Sequence, residues 1–164
     1  MMIQAAVRRA IIADVPTIAV DYVTFVQNTS DVPDEVIAHR AGMISLKQHA
    51  SIPSSFHIKH EGPCTIELPF SVYEGIPLVV LSQGQELNMI CNTARGCGRQ
   101  HAKWCPVSAV THDLKTITPC NDMSDKEILS TARHMLVDQL QAWKQGLIHL
   151  RYGKLVGKGR GGGR

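Results

Sequence analysis

Residues Arg8 to Leu46 read RRAIIADVPTIAVDYVTFVQNTSDVPDEVIAHRAGMISL, and their pattern predicts a helix, a strand and a second helix in succession. The first helix begins upstream of this stretch, and its apolar residues recur at the spacing of one helix face: Ile3, Ala6, Val7, Ala10 and Ile11. Pro16 ends the helix, because proline lacks an amide hydrogen and disfavours helical geometry in the residue before it. The segment from Thr17 to Val26 then predicts a strand that is covered on much of both faces.

The second half of the stretch predicts a loop followed by a short helix. Residues 28–31, with the sequence NTSD, form the loop. Pro33, Asp34 and Glu35 are typical of the first turn of a helix, where unpaired amide hydrogens and the helix dipole favour acidic groups. Gly42 suits the end of that helix. The whole stretch carries few residues that could perform catalysis, which favours a scaffold over an enzyme.

A second informative block, Gly84 to Val107, reads GQELNMICNTARGCGRQHAKWCPV. The run from Glu86 to Thr93 predicts a strand that leads into a turn at Gly96 and Gly98. Between the two blocks, residues 47–99 contain short strand-like runs separated by proline and glycine, which predicts a small β-rich insertion. These runs are Phe56–Lys59, Thr65–Leu68, Val72–Tyr73 and Leu78–Leu81.

The last long element is a helix that begins at a capping box formed by Ser124 and Glu127. Its apolar stripe covers about 27 residues, or roughly 40 Å, and therefore extends beyond a small domain. The stripe is interrupted by Gln139 and otherwise contains Ile128, Leu129, Ala132, Met135, Leu136, Leu140, Trp143, Leu147 and Leu150. We expect its surplus apolar surface to pack on a helix across a dimer interface. The alternative is that Trp143 and its neighbours cover the chain's own sheet.

Composition and charge describe a near-neutral body with a basic tail. Four of the 17 Lys and Arg residues follow Tyr152, and the rest nearly balance the 14 acidic residues. The glycines and charges of Gly153 to Arg164 cannot build a core, so this tail is expected to be disordered. Five cysteines without regular pairing and the absence of a signal peptide indicate a reducing intracellular compartment. No apolar run reaches the roughly 20 residues that span a bilayer, so no membrane partner is expected.

Several residues could suggest catalysis or metal binding, and each pattern is incomplete. Cys91, Cys97, His101 and Cys105 have the ligand types of zinc, but they lack the close pairs that structural zinc sites use. A nucleophilic site would need Cys97 or Cys105 beside His101 and an orienting acid such as Asp113. The glycines at 96 and 98 are not followed by a phosphate-loop lysine. The sequence therefore predicts no catalytic residue, metal or cofactor.

Taken together, the two blocks and the last helix resemble the alpha-like assembly subunit of multisubunit RNA polymerases over about residues 3 to 150. This family includes bacterial alpha, its archaeal D-type counterpart and the eukaryotic third-largest subunit. The first block contributes Arg8-Arg9, the run Ala13 to Asp21, Asn28-Thr29-Ser30, and Ala38-His39-Arg40 with Gly42. The second block contributes the family signature Gly84, Gln85, Glu86, Leu87, Gly98, His101, Lys103, Trp104 and Pro106.

The resemblance implies an α+β fold in which a dimerisation domain is interrupted by a small β-rich insert domain. Residues 1–46 and 100–152 would form the dimerisation domain, a mixed sheet with two long helices, and residues 47–99 the insert. Some relatives carry a cysteine cluster in the insert, whereas Cys64 is the only cysteine here before Cys91. Relatives usually also have a strand before the first helix, whereas Met1 here begins almost inside that helix, and without the strand a sheet edge would be exposed. Either the start codon lies further upstream, the gene is reduced, or a partner supplies the missing strand. The implied dimer interface contains Ile3, Ala6, Val7, Ala10, Ile11, Leu129, Leu136, Leu140, Trp143 and Leu147.

The resemblance also implies partners. The main partner would be a small alpha-like subunit, of the archaeal L type or the eukaryotic eleventh-subunit type, in a heterodimer that nucleates polymerase assembly. The second-largest subunit would dock at Arg8, Arg9, His39 and Arg40, although these charges could simply be solvated or complement a helix dipole. Small zinc-bearing subunits are further candidate neighbours. Nucleotide addition would belong to the two largest subunits, in the nucleus of a eukaryote, or in the cytoplasm, virus factory or virion for a virus-encoded polymerase.

Two alternatives belong to other functional classes. The first is a nucleic-acid-binding module in which Lys154 to Arg164 contacts phosphates, with an affinity that falls steeply as salt rises. Under the polymerase interpretation the same tail would contact DNA only weakly or indirectly. The second alternative is an enzyme of the hydrolase type.

Overall fold

The structure, a computed structural model, describes residues 2–48, 51–111 and 113–156, apart from the side chains of Met2 and residues 148–156. The helices are α1 (Met2–Ala13), α2 (Asp34–Met43) and α3 (Asp125–Val156), with a short 3₁₀ turn at Ala102–Trp104. The strands are β1 (Pro16–Asn28), β2 (Ser55–Glu61), β3 (Cys64–Glu67), β4 (Pro77–Leu81), β5 (Glu86–Cys97), β6 (Val107–Val110) and β7 (Ile117–Pro119). The predicted α+β class is confirmed.

The main sheet contains three antiparallel strands in the order β1-β5-β2. β1 pairs with β5 from Pro16 opposite Cys97 to Asn28 opposite Leu87, with register shifts at Asp21 and Val26. Two hairpins, β3-β4 and β6-β7, are also antiparallel. Every strand pairing in the described residues is thus antiparallel, in contrast to the mixed sheet that we expected. β1 and β2 run in the same direction but are not neighbours, because β5 lies between them.

The main core combines the first block with the segment that we predicted as an insert. Its buried residues come from β1, α2, the loop after α2, and β2 to β5: Val20, Ile37, Ala41, Ile44, Leu46, Ile58, Ile66, Leu68, Leu78, Val79, Leu81, Leu87, Met89 and Cys91. β5 belongs with β1, although the predicted insert range of 47–99 contains it. The predicted boundaries therefore do not coincide with a break in the sheet, because eleven residue pairs join β1 to β5.

A second core joins α1 to α3 and the β6-β7 hairpin. Its buried residues are Ala10, Ile11, Val15, Val107, Val110, Ile128 and Ala132. The hairpin is a feature that the sequence did not predict, because strands of four and three residues carry too little periodicity. Val72 and Tyr73, in contrast, were predicted as a strand, but the chain there forms only an isolated bridge between Leu46 and Ser71.

The capping box at the start of α3 is formed as predicted. The Ser124 amide donates to Glu127 Oε2 at 2.8 Å, and the Glu127 amide donates to Ser124 Oγ at 3.3 Å. α3 continues to Val156, beyond the predicted start of the tail at Gly153. A single glycine costs a helix only about 1 kcal/mol, and Lys154 and Leu155 are good helix formers. The rest of the predicted tail, residues 157–164, lies outside the described residues.

β1 is an edge strand of the main sheet, and the Gln48 side chain covers part of the unpaired edge of β1. The Ile18 amide donates to Gln48 Oε1 at 2.7 Å, and Gln48 Nε2 donates to the Ile18 carbonyl at 3.2 Å. The carboxamide thus replaces the hydrogen bonds of a neighbouring strand at Ile18. None of the helices within the described residues is long and apolar enough to cross a membrane.

Candidate functional site

A groove of about 460 Å³ runs between α1 and the second half of α3. Its lining is largely apolar and consists of Ile3, Ala6, Leu136, Gln139, Leu140 and Trp143. Ile3, Leu140 and Trp143 are 80%, 69% and 75% exposed, and Leu147 continues this surface along α3 with 63% exposure. We call these four residues the free apolar face. A contiguous apolar surface of this kind is typical of a protein interaction site.

The groove exists because α3 extends beyond the second core, on which only its first half packs. Ile128 and Ala132, in the first half of α3, are completely buried in the second core. Leu129 and Leu136 are partly buried against the same core. Beyond Gln139, the apolar stripe continues with the exposed Leu140, so the same helix face passes from the core of this chain into open space.

The predicted interface residues therefore divide into two groups. Ile3, Leu140, Trp143 and Leu147 form the free apolar face, and Ala6 and Leu136 line the groove beside it. Ala10 and Ile11 are only 1% and 0% exposed and contact the chain's own core, which corrects our expectation that they face a partner. Val7 and Leu129 are partly buried against that core. The helical spacing identified the apolar face of α1 but could not indicate which part of that face is covered by this chain's own core.

Two signature segments that are distant in sequence contact each other at one end of the main sheet. The Thr29 amide donates to the Glu86 carbonyl at 3.0 Å, and the Glu86 amide donates to Thr29 Oγ1 at 2.7 Å. Gly84 adopts a φ of 80° in the turn before β5, a conformation that favours glycine. The Gln85 side chain accepts from the Ser82 amide at 2.8 Å within this turn. These contacts fix the entry into β5, where Leu87 is completely buried.

The turn after β5 is packed closely against α1 and the 3₁₀ turn. A Cβ atom on Gly98 would lie 2.1 Å from the Ile12 carbonyl oxygen, and one on Gly96 would lie 2.5 Å from the Trp104 ring. The Trp104 indole donates to the Ala94 carbonyl at 3.1 Å, and Thr17 Oγ1 donates to the Trp104 carbonyl at 2.8 Å. Gly96 and Gly98 therefore allow the turn after β5 to lie directly against the Trp104 ring and the end of α1.

The signature residues His101 and Lys103 meet α2 and β1 in a cleft of about 240 Å³. Lys103 Nζ lies 2.9 Å from Asp21 Oδ1 and 4.3 Å from the centre of the Trp104 ring. The Lys103 amide donates to His101 Nδ1 at 3.1 Å, and His39 also lines the cleft. Lys103 thus ties the 3₁₀ turn to the register shift of β1 at Asp21.

Sequence comparison with known proteins identifies the family of this chain. No family model matches the chain. DNA-directed RNA polymerase subunit Rpo3 of Methanocaldococcus jannaschii is 32% identical over 158 residues, which cover 87% of this chain and 83% of the relative. The chain belongs to the Rpo3/Rpb3 family of RNA polymerase subunits.

Two further members of the Rpo3/Rpb3 family show how much of a relative this chain covers. Rpo3 of Thermococcus kodakarensis is 35% identical over 76% of this chain and 56% of its own length. DNA-directed RNA polymerase II subunit rpb3 of Dictyostelium discoideum is 28% identical over 71% of this chain and 51% of its own length. The chain thus spans about half the length of these two relatives.

The basic residues predicted for docking have different environments in this Rpo3/Rpb3-family chain. Arg8 Nε donates to the Val110 carbonyl at 3.1 Å, and Arg40 donates to the Leu78 carbonyl at 3.2 Å. Both side chains therefore fix contacts inside the chain, a role that the sequence did not indicate. Arg9, His39 and Arg40 are exposed, whereas Arg8 is half-buried.

The residues considered for catalysis or metal binding are dispersed in the Rpo3/Rpb3-family fold. No group of three or more His, Cys, Asp or Glu residues in the described ranges could hold a metal ion. Cys91 is completely buried, and burial raises the pKa of its thiol to about 11. The Cys105 thiol donates to the Val107 carbonyl at 3.1 Å.

The remaining titratable groups of interest also contact their own surroundings. Burial raises the pKa of the Cys120 thiol, and the neighbouring Cys105 raises this pKa further. The Asp113 carboxylate binds Lys115 at 3.1 Å, and this hydrogen bond lowers the pKa of Asp113. Asp113 is thus engaged within the β6-β7 hairpin, and His101 Nδ1 accepts from the Lys103 amide. These contacts join neither group to a cysteine thiol.

Proposed function

We propose that this chain is a non-catalytic assembly subunit of a DNA-directed RNA polymerase and forms a heterodimer through the α1-α3 groove. The partner is a small alpha-like subunit whose own helices pack against the free apolar face. The observation that carries this proposal is the exposure of Ile3, Leu140 and Trp143 in one groove, with the exposed Leu147 one helical turn beyond Trp143. Burial of such residues in a partner is favourable because it removes apolar area from water.

The environment of Trp143 supports a partner over the alternative that this helix covers its own sheet. Trp143 is 75% exposed, whereas Ile128 on the same helix is completely buried. The core of this chain is therefore already covered by the first half of α3. Large aromatic side chains at the centre of an apolar groove frequently dominate the binding energy of an interface. We therefore expect Trp143 to anchor the partner.

Docking of larger subunits is assigned to the surfaces outside this groove. Arg9 is an exposed cation on α1, and His39 lines the cleft beside Lys103. We assign contact with the second-largest subunit to Arg9 and His39, while Arg8 and Arg40 stabilise the elements that carry them. Small zinc-bearing subunits are further candidate neighbours. Nucleotide addition belongs to the two largest subunits, and the chain acts where the polymerase assembles inside the cell, in the nucleus of a eukaryote.

The test is co-expression of the full chain with the small alpha-like subunit of the same polymerase. We expect a 1:1 complex by size-exclusion chromatography with light scattering, and a chain that self-associates when the partner is omitted. Trp143→Ala should abolish or strongly weaken the complex while leaving the melting temperature of the isolated chain within about 2 °C, because an exposed side chain contributes little to folding.

Tyr73→Ala is the matched control, because Tyr73 is an aromatic residue that is 49% exposed outside the groove. This variant should bind the partner as the original chain does. A monomer that ignores the partner would contradict the proposal. So would a Trp143→Ala chain that still forms the full complex, because the groove would then not be the binding surface.

A further inference from the structure

Gln139 is a polar residue within the apolar stripe of α3, and the groove alone does not explain it. Its side-chain amide Nε2 donates to Asp14 Oδ2 at 3.2 Å. The two residues are 125 positions apart in sequence. The contact joins α3 to the segment that directly follows α1.

The acceptor, Asp14, is held in place by groups other than Gln139. Asp14 is only 9% exposed. Its second carboxylate oxygen, Oδ1, binds Arg99 Nη2 at 2.5 Å, and the Arg99 amide donates to the Ala13 carbonyl at 3.0 Å. The close approach of Gly98 to Ile12 leaves no space for this turn to move toward α1. A buried carboxylate with a fixed position is a strong and directional acceptor.

The position of Gln139 along α3 is equally informative. Ala132 is completely buried and Leu136 is partly buried, whereas Leu140 is 69% exposed. Gln139 therefore lies where the helix leaves the body and begins to carry the free apolar face. A directional contact at that point restrains the rotation of α3 and its angle to α1, in addition to the packing of Ile128 and Ala132.

We propose that Asp14 is a positioning residue that, through Gln139, sets the orientation in which α3 presents the free apolar face to its partner. This inference rests on the proposed function for the identity of the surface, but the hydrogen bond acts on α3 whether or not a partner is bound. The contact lowers the number of orientations that α3 adopts, and a partner then binds a surface that is already arranged.

The experiment replaces the hydrogen bond by apolar area. Gln139→Leu removes the donor and adds an apolar side chain to the groove, so a surface recognised by apolar area alone would bind at least as tightly. Under our proposal, the dissociation constant for the small alpha-like subunit instead rises about tenfold, as expected from loss of a hydrogen bond to a charged group. Gln141→Leu is the matched control, because Gln141 is exposed on the same helix and should leave the dissociation constant unchanged.

A reciprocal exchange tests whether the hydrogen bond itself is responsible. Gln139→Glu places two carboxylates together and should weaken binding at least as much as Gln139→Leu. In the double variant Asp14→Asn with Gln139→Glu, the introduced asparagine amide can donate to the introduced glutamate, and the net charge of the chain is unchanged. We expect binding within about threefold of the original chain, a recovery that a general loss of stability could not produce.

Hydrogen exchange of the isolated full chain separates this inference from the proposed function. Backbone amides of residues 140–147 should exchange faster in Gln139→Leu than in the original chain or in Gln141→Leu, because local opening of α3 becomes easier. If the original chain fails to bind the partner but these amides respond, the proposed function falls and the positioning role stands. Unchanged exchange together with unchanged affinity in Gln139→Leu would overturn the positioning role.

Discussion

Gly98 shows how a single missing side chain determines the local structure of this fold. A Cβ atom at this position would lie 2.1 Å from the Ile12 carbonyl oxygen, a separation that no rotation of a side chain can relieve. The backbone of the turn after β5 can therefore approach the end of α1 only if residue 98 is glycine. The same approach brings Arg99 to Asp14, so the arrangement of α3 depends indirectly on this position.

Gly98→Ala should consequently lower the free energy of unfolding by about 1–3 kcal/mol or more, the range typical of overpacking in a closely packed region. Gly146→Ala is the matched control, because a Cβ atom on Gly146 in α3 meets nothing within 4 Å. This second change should raise helix stability by about 0.5–1 kcal/mol. Denaturant unfolding of both variants measures the difference, and equal stabilities would contradict the described packing.

Cys91 provides a prediction about pH at the same scale. Burial raises the pKa of its thiol from 9.0 to about 11. The folded chain therefore holds this proton more tightly than the unfolded chain does. The stability that results is fully present below pH 9 and is lost as the pH rises through about 11.

We expect the unfolding free energy to fall more steeply above about pH 9 in the original chain than in Cys91→Ala, by at most about 1.4 kcal/mol per pH unit. Denaturant unfolding at several pH values between about 8 and 11 gives the two slopes. The absolute stabilities will differ because the alanine leaves a cavity, so only the slopes are compared. Parallel curves over this range would exclude a role for the buried thiol.

At the scale of elements, α3 combines two functions along one helix. Its first half completes the second core through Ile128 and Ala132, and its second half presents the free apolar face. A helix that extends beyond the core depends on a stable first turn, because its exposed turns gain little from packing. The reciprocal hydrogen bonds of Ser124 and Glu127 supply that beginning.

Ser124→Ala should therefore lower the free energy of unfolding by about 1 kcal/mol through loss of the helix cap. Ser130→Ala is the matched control, because Ser130 is exposed inside α3, where alanine is a better helix former than serine. Thermal unfolding followed by circular dichroism measures both variants. If Ser130→Ala proves as destabilising as Ser124→Ala, the cap is not the cause.

At the scale of the whole molecule, the buried residues form two cores, and the free apolar face is left uncovered by both. The main core joins the two predicted domains through the pairing of β1 with β5, and the second core joins the first and last helices. The face between α1 and α3 lies outside both. Docking of larger subunits, in contrast, is assigned to charged side chains on other surfaces, where electrostatic contacts set specificity and the rate of association more than affinity.

Arg9→Ala should thus leave the heterodimer intact and reduce recruitment of the second-largest subunit. A pull-down from reconstituted subunits, repeated at two salt concentrations, measures the effect, and the difference should narrow at high salt because exposed charges are screened. Lys126→Ala is the control for loss of an exposed charge from a neighbouring helix. Equal recruitment by both variants and the original chain would reject the assignment of Arg9.

The sequence predicted those parts of the site whose signals are local. Pro16 marked the end of α1, the capping box marked the start of α3, and the apolar spacing identified the face that contains Ile3 and Trp143. It did not indicate that Ala10 and Ile11 are covered by the chain itself. Nor did it show that Arg8 binds the Val110 carbonyl, a contact between residues 102 positions apart. In the sequence pattern, Gln139 was only an interruption of the apolar stripe of α3.

The sequence alone therefore determined the class of fold, the main elements and the family to which the chain belongs. The fold class and the elements follow from periodicity, proline and glycine positions and caps, all of which act over a few neighbouring residues. The family was indicated by the resemblance of several separate motifs. Tertiary structure alone decided which part of each apolar helix face is free, which arginines bind carbonyl groups within the chain, and why a glutamine lies at the edge of the groove. Those properties depend on how far each core extends along each helix and on contacts between residues that are distant in sequence. Both are established only when the chain folds.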